Sequence, residues 1–243
     1  MAQGTGRLRR SAALLVAGGL VLAGTAVGPA AGASALTVSV DDFRRGGVIP
    51  PAYAFCVPAQ PGHVAPGPNK SPKISWSSGP AKTASYAIIM VDPDVPTVVD
   101  NANKEGKKIP RTLKRRDSYH WVLVDIPATV TSLSEGADTG APSPKKPGPT
   151  AHGRRGINDY STSAKVYGGY DGPCPPWNDM RVHHYRFLVY ALDLAHLGVS
   201  GNFTGPDALR AMSGHVQAWG ELVGVYTLNP DVAKTIGNKP TGK

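Results

Sequence analysis

The hydrophobic pattern of the chain centres on Ala87-Ile88-Ile89-Met90-Val91, five apolar residues that run straight into Asp92-Pro93-Asp94-Val95-Pro96. The run is too short to span a bilayer and too rich in β-branched residues for a comfortable helix, so it predicts a strand buried on both faces. Pro93 cannot donate to a central ladder, and the strand is expected to end at Asp92. Leu36–Val40 alternates and predicts a first strand. Tyr53–Cys56, flanked by prolines, reads as an edge segment, and Pro58–Pro68 as a proline-glycine loop. Further strands are expected at Ile74–Trp76, Ser118–Ile126, Tyr185–Leu192 (entered through His183 and His184) and Glu221–Leu228. One helix is predicted from Pro206 to Trp219. Thr204 or Gly205 caps it, Leu209, Met212, Val216 and Trp219 form its apolar stripe, and Gly220 stops it. Residues 95–117 and 134–150 lack periodicity and predict long exposed loops. The class is mostly β: an antiparallel β sandwich with a C-terminal helix packed at its edge.

Residues 1–35 carry a different pattern. Arg7, Arg9 and Arg10 precede an apolar stretch from Ser11 to Val27, and Ala33-Ser34-Ala35 forms a small-x-small cleavage site. The expectation is a secretory signal peptide over 1–35, a folded domain over 36–229 and a loose polar tail over 230–243. No later stretch is apolar for long enough to make a transmembrane helix. The protein is therefore expected to be secreted or otherwise extracytoplasmic.

Composition changes this picture little. The 23 prolines, 29 glycines and 18% charged residues fit a turn-rich β domain. The net charge of +9 includes the three arginines of the leader, and the remainder is concentrated in two loops, 104–116 and 145–155. Such runs are most often solvated loops, and they can attract anionic lipid or polymer. Aromatic residues do not alternate with these charges, so nucleic acid is not an expected partner. Cys56 and Cys174 remain. Two cysteines in an exported chain pair more often than not, and a bond between them would close a loop worth about 4–5 kcal/mol in chain entropy. The alternative is two buried free thiols, and the sequence alone does not choose.

Polar residues gather at the expected strand mouths: Asp92 and Asp94, His120, the turn at Gly172–Pro176, and His183 with Tyr185. His183 and Tyr185 are two apart and share one face of a strand, so an imidazole and a phenol can bind one anion together. Gly172 lets backbone N–H groups approach a ligand. Carboxylates nearby raise imidazole basicity. Singly, each has a plainer reading: an Asx-Pro turn is architectural, a lone histidine is a core residue, and His184 belongs to the surface. Two Asp and two His could bind a divalent metal, but their spacing does not favour a metal site, and no cofactor is implied. There is no Gly-x-Ser-x-Gly and no cysteine with a histidine partner, so a hydrolase has no recognisable nucleophile and an enzyme is not expected.

These pieces in this order resemble the phosphatidylethanolamine-binding protein family, in particular its bacterial, Raf-kinase-inhibitor-like branch. They are Asp92-Pro93-Asp94-Val95-Pro96, His120 opening a strand, Gly172-Pro173-Cys174-Pro175-Pro176, and His183-x-Tyr185 before Leu188-Val189-Tyr190-Ala191-Leu192. Asn69-Lys70-Ser71-Pro72 with Trp76, and Gly214-His215 through Gly224, extend the likeness over roughly residues 37–228. The resemblance implies an antiparallel β sandwich and a pocket for a small anion, such as phosphate or the phosphoethanolamine head group of a phospholipid. Asp92, Asp94, His120, His183 and Tyr185 would line it, with Gly172 at the rim. It also makes an extracellular protease-inhibitor or interaction module thinkable as the alternative, with a hydrolase third. His184 stands where many relatives carry Arg, and the 104–116 loop is longer than in compact bacterial members.

Overall fold

The computed structural model describes residues 34–139 and 145–236. The expected leader therefore lies outside the described residues except for Ser34 and Ala35. These two form strand β1 (Ser34–Ala35), which runs parallel to Ala218 and Trp219. The other strands are β2 (Val38–Val40), β3 (Cys56–Ala59), β4 (His63–Pro66), β5 (Ile74–Trp76), β6 (Ser85–Pro96), β7 (Arg115–Pro127), β8 (Ser132–Leu133), β9 (Gly148–Thr150), β10 (Gly153–Arg155), β11 (His183–Leu192) and β12 (Val216–Tyr226). Helix α1 spans Gly205–Met212 and α2 spans Pro230–Ile236. A seven-stranded sheet in the order β1-β12-β11-β6-β7-β10-β9 faces a three-stranded sheet, β2-β5-β8, and β3 and β4 form a separate hairpin. Every pairing except β1 with β12 is antiparallel. The sandwich expected from the sequence is present.

β6 lies at the centre and is buried on both faces, as its unbroken apolar run requires. Ile88 and Met90 point into the core between the sheets, with Trp121, Phe187, Ile74 and Trp76. Ala87, Ile89 and Val91 point the other way, into a second core closed by Phe203, Ala208 and Met212. Helix α1 contributes two of those three residues and so covers the outer face. Its N-cap is Thr204, whose side chain accepts from the Asp207 N–H while Asp207 accepts from the Thr204 N–H.

Four local expectations are corrected. β6 does not end at Asp92 but continues to Pro96. The register passes from Asp92 opposite Ser118 to Val95 opposite Arg116, so Pro93 and Asp94 together oppose Asp117 alone. Pro93 is tolerated because it sits in this bulge, where no ladder bond is required of it. The Pro58–Pro68 stretch is no simple loop, since its residues pair in the β3–β4 hairpin. α1 stops at Met212, and Val216 and Trp219 belong to β12. Gly220 lies inside that strand, where a Cβ would sit 2.1 Å from the Leu36 carbonyl oxygen and block the approach of the N-terminal segment. Finally, residues 230–236 of the expected tail form α2. Asn229 Oδ1 accepts from the N–H groups of Asp231 and Val232, and Val232 is buried. Residues 237–243 lie outside the described residues.

Cys56 and Cys174 are joined by a disulfide, which ties the β3–β4 hairpin to the turn before β11. The long segment between β6 and β7 is ordered around one buried side chain, Asn178. Its Nδ2 donates to the carbonyls of Asn101 (2.8 Å), Lys107 (3.0 Å) and Lys104 (3.3 Å), and its Oδ1 accepts from the Asn103 N–H.

Candidate functional site

At the ends of β6, β7 and β11 lies a cavity of about 290 Å³. Asp92, His120, His183 and Tyr185 all line it, so four of the six expected residues meet in one place. The walls also take in Ser118, Asp159, Tyr160, Arg116, the Cys174–Pro176 turn and, from the end of β6 and the segment after it, Val95 to Asn103 in part. The bulge after Asp92 and the two-residue spacing of His183 and Tyr185 aim these side chains at the same space.

His183 is locked. Its Nδ1 lies 2.7 Å from Asp92 Oδ2 and its Nε2 lies 3.1 Å from Asp179 Oδ2. A carboxylate can only accept, so both ring nitrogens donate and the ring is an imidazolium. Burial alone would lower its pKa, but bonds from Asp179 and Asp92 outweigh that and hold it at about 9. Arg115, also buried, donates to both oxygens of Asp179. Asp179 is held below the ordinary carboxylate range: burial opposes this, and its bonds to His183 and Arg115 prevail. Two carboxylates and two cations thus neutralise one another behind the cavity wall.

His120 is held differently. Its Nδ1 lies 2.9 Å from the Asp171 carbonyl oxygen, so Nδ1 carries the proton and Nε2 is left without a protein partner among the described residues. The ring stands edge-on between Tyr160 and Tyr185, at centroid distances of 5.4 and 5.2 Å. Asp171 is fixed by Asn69 and Asn158, each at 2.7 Å, and burial raises its pKa. The Tyr185 hydroxyl is fully buried and, among the described residues, makes no hydrogen bond of regular geometry, with Asp92 beside it. Burial, reinforced by the charge of Asp92, pushes its pKa well above 10, so it is a standing donor at neutral pH. A buried hydroxyl without a partner is costly. A ligand oxygen in the cavity would relieve that cost.

Two expected site residues are placed elsewhere. Asp94 does not line the cavity. It accepts from the His184 N–H (3.0 Å), His184 Nδ1 (2.7 Å) and Arg181 (3.0 Å). Gly172 does not offer its N–H to a ligand either, because that group donates to Asn69 Oδ1 at 2.7 Å. Its carbonyl accepts from the Tyr160 hydroxyl at 3.1 Å. Glycine is needed there because a Cβ would fall 1.9 Å from the Tyr53 carbonyl oxygen. The rim comes from Cys174, Pro175 and Pro176 instead.

Sequence reasoning missed Tyr160, Asp179 and Arg115. Asp179 lies four residues before His183, and Arg115 is one of many cations in its run, so neither spacing nor type singled them out. Among the described residues no cluster of His, Cys, Asp and Glu has the arrangement of a metal site, and no helix is long and apolar enough to cross a membrane.

Comparison with known proteins follows the same lines. Residues 39–227 match the family model described as phosphatidylethanolamine-binding protein. The chain is 30% identical over 197 residues to the protein YbcL of Escherichia coli K12, covering 81% of this chain and 90% of that one. A relative from Methanothermobacter thermautotrophicus is 33% identical over 164 residues, covering 68% and 87% of the two chains. The crystal structure of E. coli YbcL, described as a new member of the mammalian family, superposes with a TM-score of 0.58 at 28% identity, covering 80% of this chain and 99% of that one. A phosphatidylethanolamine-binding protein homologue from Chlamydia trachomatis gives 0.56 at 28%, covering 80% and 98%.

Proposed function

The chain belongs to the phosphatidylethanolamine-binding protein family, and from that premise we propose that it is an exported, non-enzymatic binding protein whose cavity takes a small oxyanion. The ligand is phosphate or a phosphorylated head group such as phosphoethanolamine. The observation that carries this reading is the pair of unsatisfied groups in the cavity, the Tyr185 hydroxyl and His120 Nε2. Tyr185 donates to one ligand oxygen. Nε2 is the second polar group that faces the ligand, and its lone pair accepts from the P–OH of a phosphate or phosphomonoester. His183 and Asp92 do not bind the ligand by their bonded atoms; they hold the wall, where the cations His183 and Arg115 balance the carboxylates Asp92 and Asp179. Arg116 at the mouth adds attraction.

Export is supported by the leader pattern of residues 1–35 and by the Cys56–Cys174 bond, which persists in oxidising compartments. A binding role is favoured over turnover because His183 has no free lone pair with which to take a proton, and because Cys174 is bound to Cys56. Calorimetry with phosphate and phosphoethanolamine tests the proposal. Binding is expected in the parent protein, with a loss of about tenfold or more in Tyr185→Phe and in His120→Ala. If both variants bind as tightly as the parent, the cavity is not the site.

A further inference from the structure

The segment joining β6 to β7 has a surface that the cavity does not explain. Val98 and Val99 are neighbours and are 51% and 56% exposed, two of only four large apolar side chains that stand out among the described residues. The same segment carries Lys104, Lys107, Lys108, Arg111 and Lys114, and Arg116 follows at the start of β7. All six are exposed, and none has a carboxylate within salt-bridge distance among the described residues. Of the acids nearby, Glu105 is bonded to His63, leaving Asp100 and Asp117. The segment is not a loose strap. Asn178 fastens its far half, and Thr97 binds the Lys114 carbonyl through both its N–H and its hydroxyl. A fixed loop thus carries two exposed valines together with cations that have no carboxylate partner among the described residues.

We infer that this loop is a docking surface for an anionic phospholipid bilayer, with Val98 and Val99 entering the interface and the lysines lying against the head groups. Unpaired cations alone would fit any polyanion. The adjacent valines favour the bilayer, because only that partner offers an apolar phase beside its charges. Nucleic acid is disfavoured, since residues 97–117 contain no aromatic side chain on which a base could stack. Val99 and Arg116 also line the cavity, so docking would bring the cavity mouth to the membrane surface. The inference does not depend on what the cavity binds.

Co-sedimentation of the full-length protein with phosphatidylglycerol–phosphatidylcholine vesicles tests it, against pure phosphatidylcholine and at 0.1 and 1 M salt. All variants share the full-length background, so a contribution from residues 1–33 is common to each. The parent is expected to sediment with the anionic vesicles at low salt and to be released at high salt. Each lysine removed is expected to weaken partitioning about fivefold, and Lys104→Gln/Lys107→Gln/Lys108→Gln roughly a hundredfold. Val98→Ser should weaken it about fivefold. Phosphate calorimetry on these variants should match the parent, because none of these positions lines the cavity; a chain that sediments but takes up no phosphate keeps this inference and loses the cavity reading. Sedimentation unchanged by both substitutions overturns the docking surface. So does loss of binding to soluble polyphosphate in the lysine variant while Val98→Ser has no effect on vesicles, for then the loop reads charge alone.

Discussion

Asp92 and Asp94 stand two residues apart on β6, yet they serve opposite faces of the sheet. Asp92 reaches His183 Nδ1 at 2.7 Å, and Asp94 reaches His184 Nδ1 at 2.7 Å. Consecutive residues of β11 point to opposite faces, so each carboxylate answers a different side. The bulge at Pro93 makes this possible by turning Asp94 away, and the Asp94 N–H seals it with a 2.7 Å bond to Asp92 Oδ1. One acid belongs to the cavity and the other fastens the outer surface.

Tyr185→Phe separates stability from binding. The hydroxyl it removes makes no regular hydrogen bond among the described residues. Unfolding stability should therefore hold or rise by about 1 kcal/mol, while anion affinity falls. A denaturant titration beside calorimetry checks both halves. A marked loss of stability would mean that the hydroxyl is already satisfied.

His183 makes stability depend on pH. Its pKa is raised from 6.5 to about 9 in the folded state. A group raised on folding stabilises fully below its unfolded value, and the contribution fades as pH climbs through the folded one. Stability should fall between pH 6.5 and about 9, by at most about 3 kcal/mol. In His183→Gln that part of the slope should vanish. His183→Ala is expected to cost about 3–5 kcal/mol, because it leaves Asp92 and Asp179 buried without their cation. Urea midpoints at pH 6 and pH 9.5 measure the difference.

At the acid end, Asp94 and Asp179 act in the opposite sense. Burial would raise Asp94, but bonds from His184 and Arg181 hold it low; Asp179 is held low in the same way by His183 and Arg115. Their stabilisation is present above the unfolded value near 3.8 and is lost as pH falls through their lower folded values. Asp94→Asn should flatten the stability profile below pH 4 and leave the alkaline limb unchanged. Circular dichroism during acid titration reports this.

Removing the disulfide should be costly. Cys56 and Cys174 are separated by 118 positions, and a loop of that size is worth about 4–5 kcal/mol by chain entropy. Cys174 also lines the cavity. Cys56→Ser/Cys174→Ser is expected to lower the denaturant midpoint and to weaken anion binding. Unchanged values for both would show that the prolines alone hold the rim.

Asn178→Ala should free the β6–β7 segment. The side chain bonds three carbonyls and one N–H of that segment. Its loss should cost about 2–3 kcal/mol and speed amide hydrogen exchange across residues 101–109 while the central sheet stays protected.

Much of this was legible in the chain. The doubly buried strand was written in Ala87–Val91, and the common face of His183 and Tyr185 in their spacing. What failed to show was whatever depends on a partner distant in sequence. Pro93 looked like a terminator because a bulge is defined by the strand opposite. Val216 and Trp219 fit a helical stripe, yet pairing with β11 draws them into a strand, where tertiary context overrides local periodicity. Gly172 was read as open to a ligand, but its N–H is claimed by Asn69, 103 residues away. Asp179 and Arg115 gave no signal because their role exists only once Asp179 lies between Arg115 and His183.

The most direct measurement is a crystal structure of the protein soaked in phosphate. The account predicts one phosphate in the cavity, with one oxygen accepting from the Tyr185 hydroxyl and another within hydrogen-bond reach of His120 Nε2. Phosphate bound elsewhere, with none in the cavity, would contradict it.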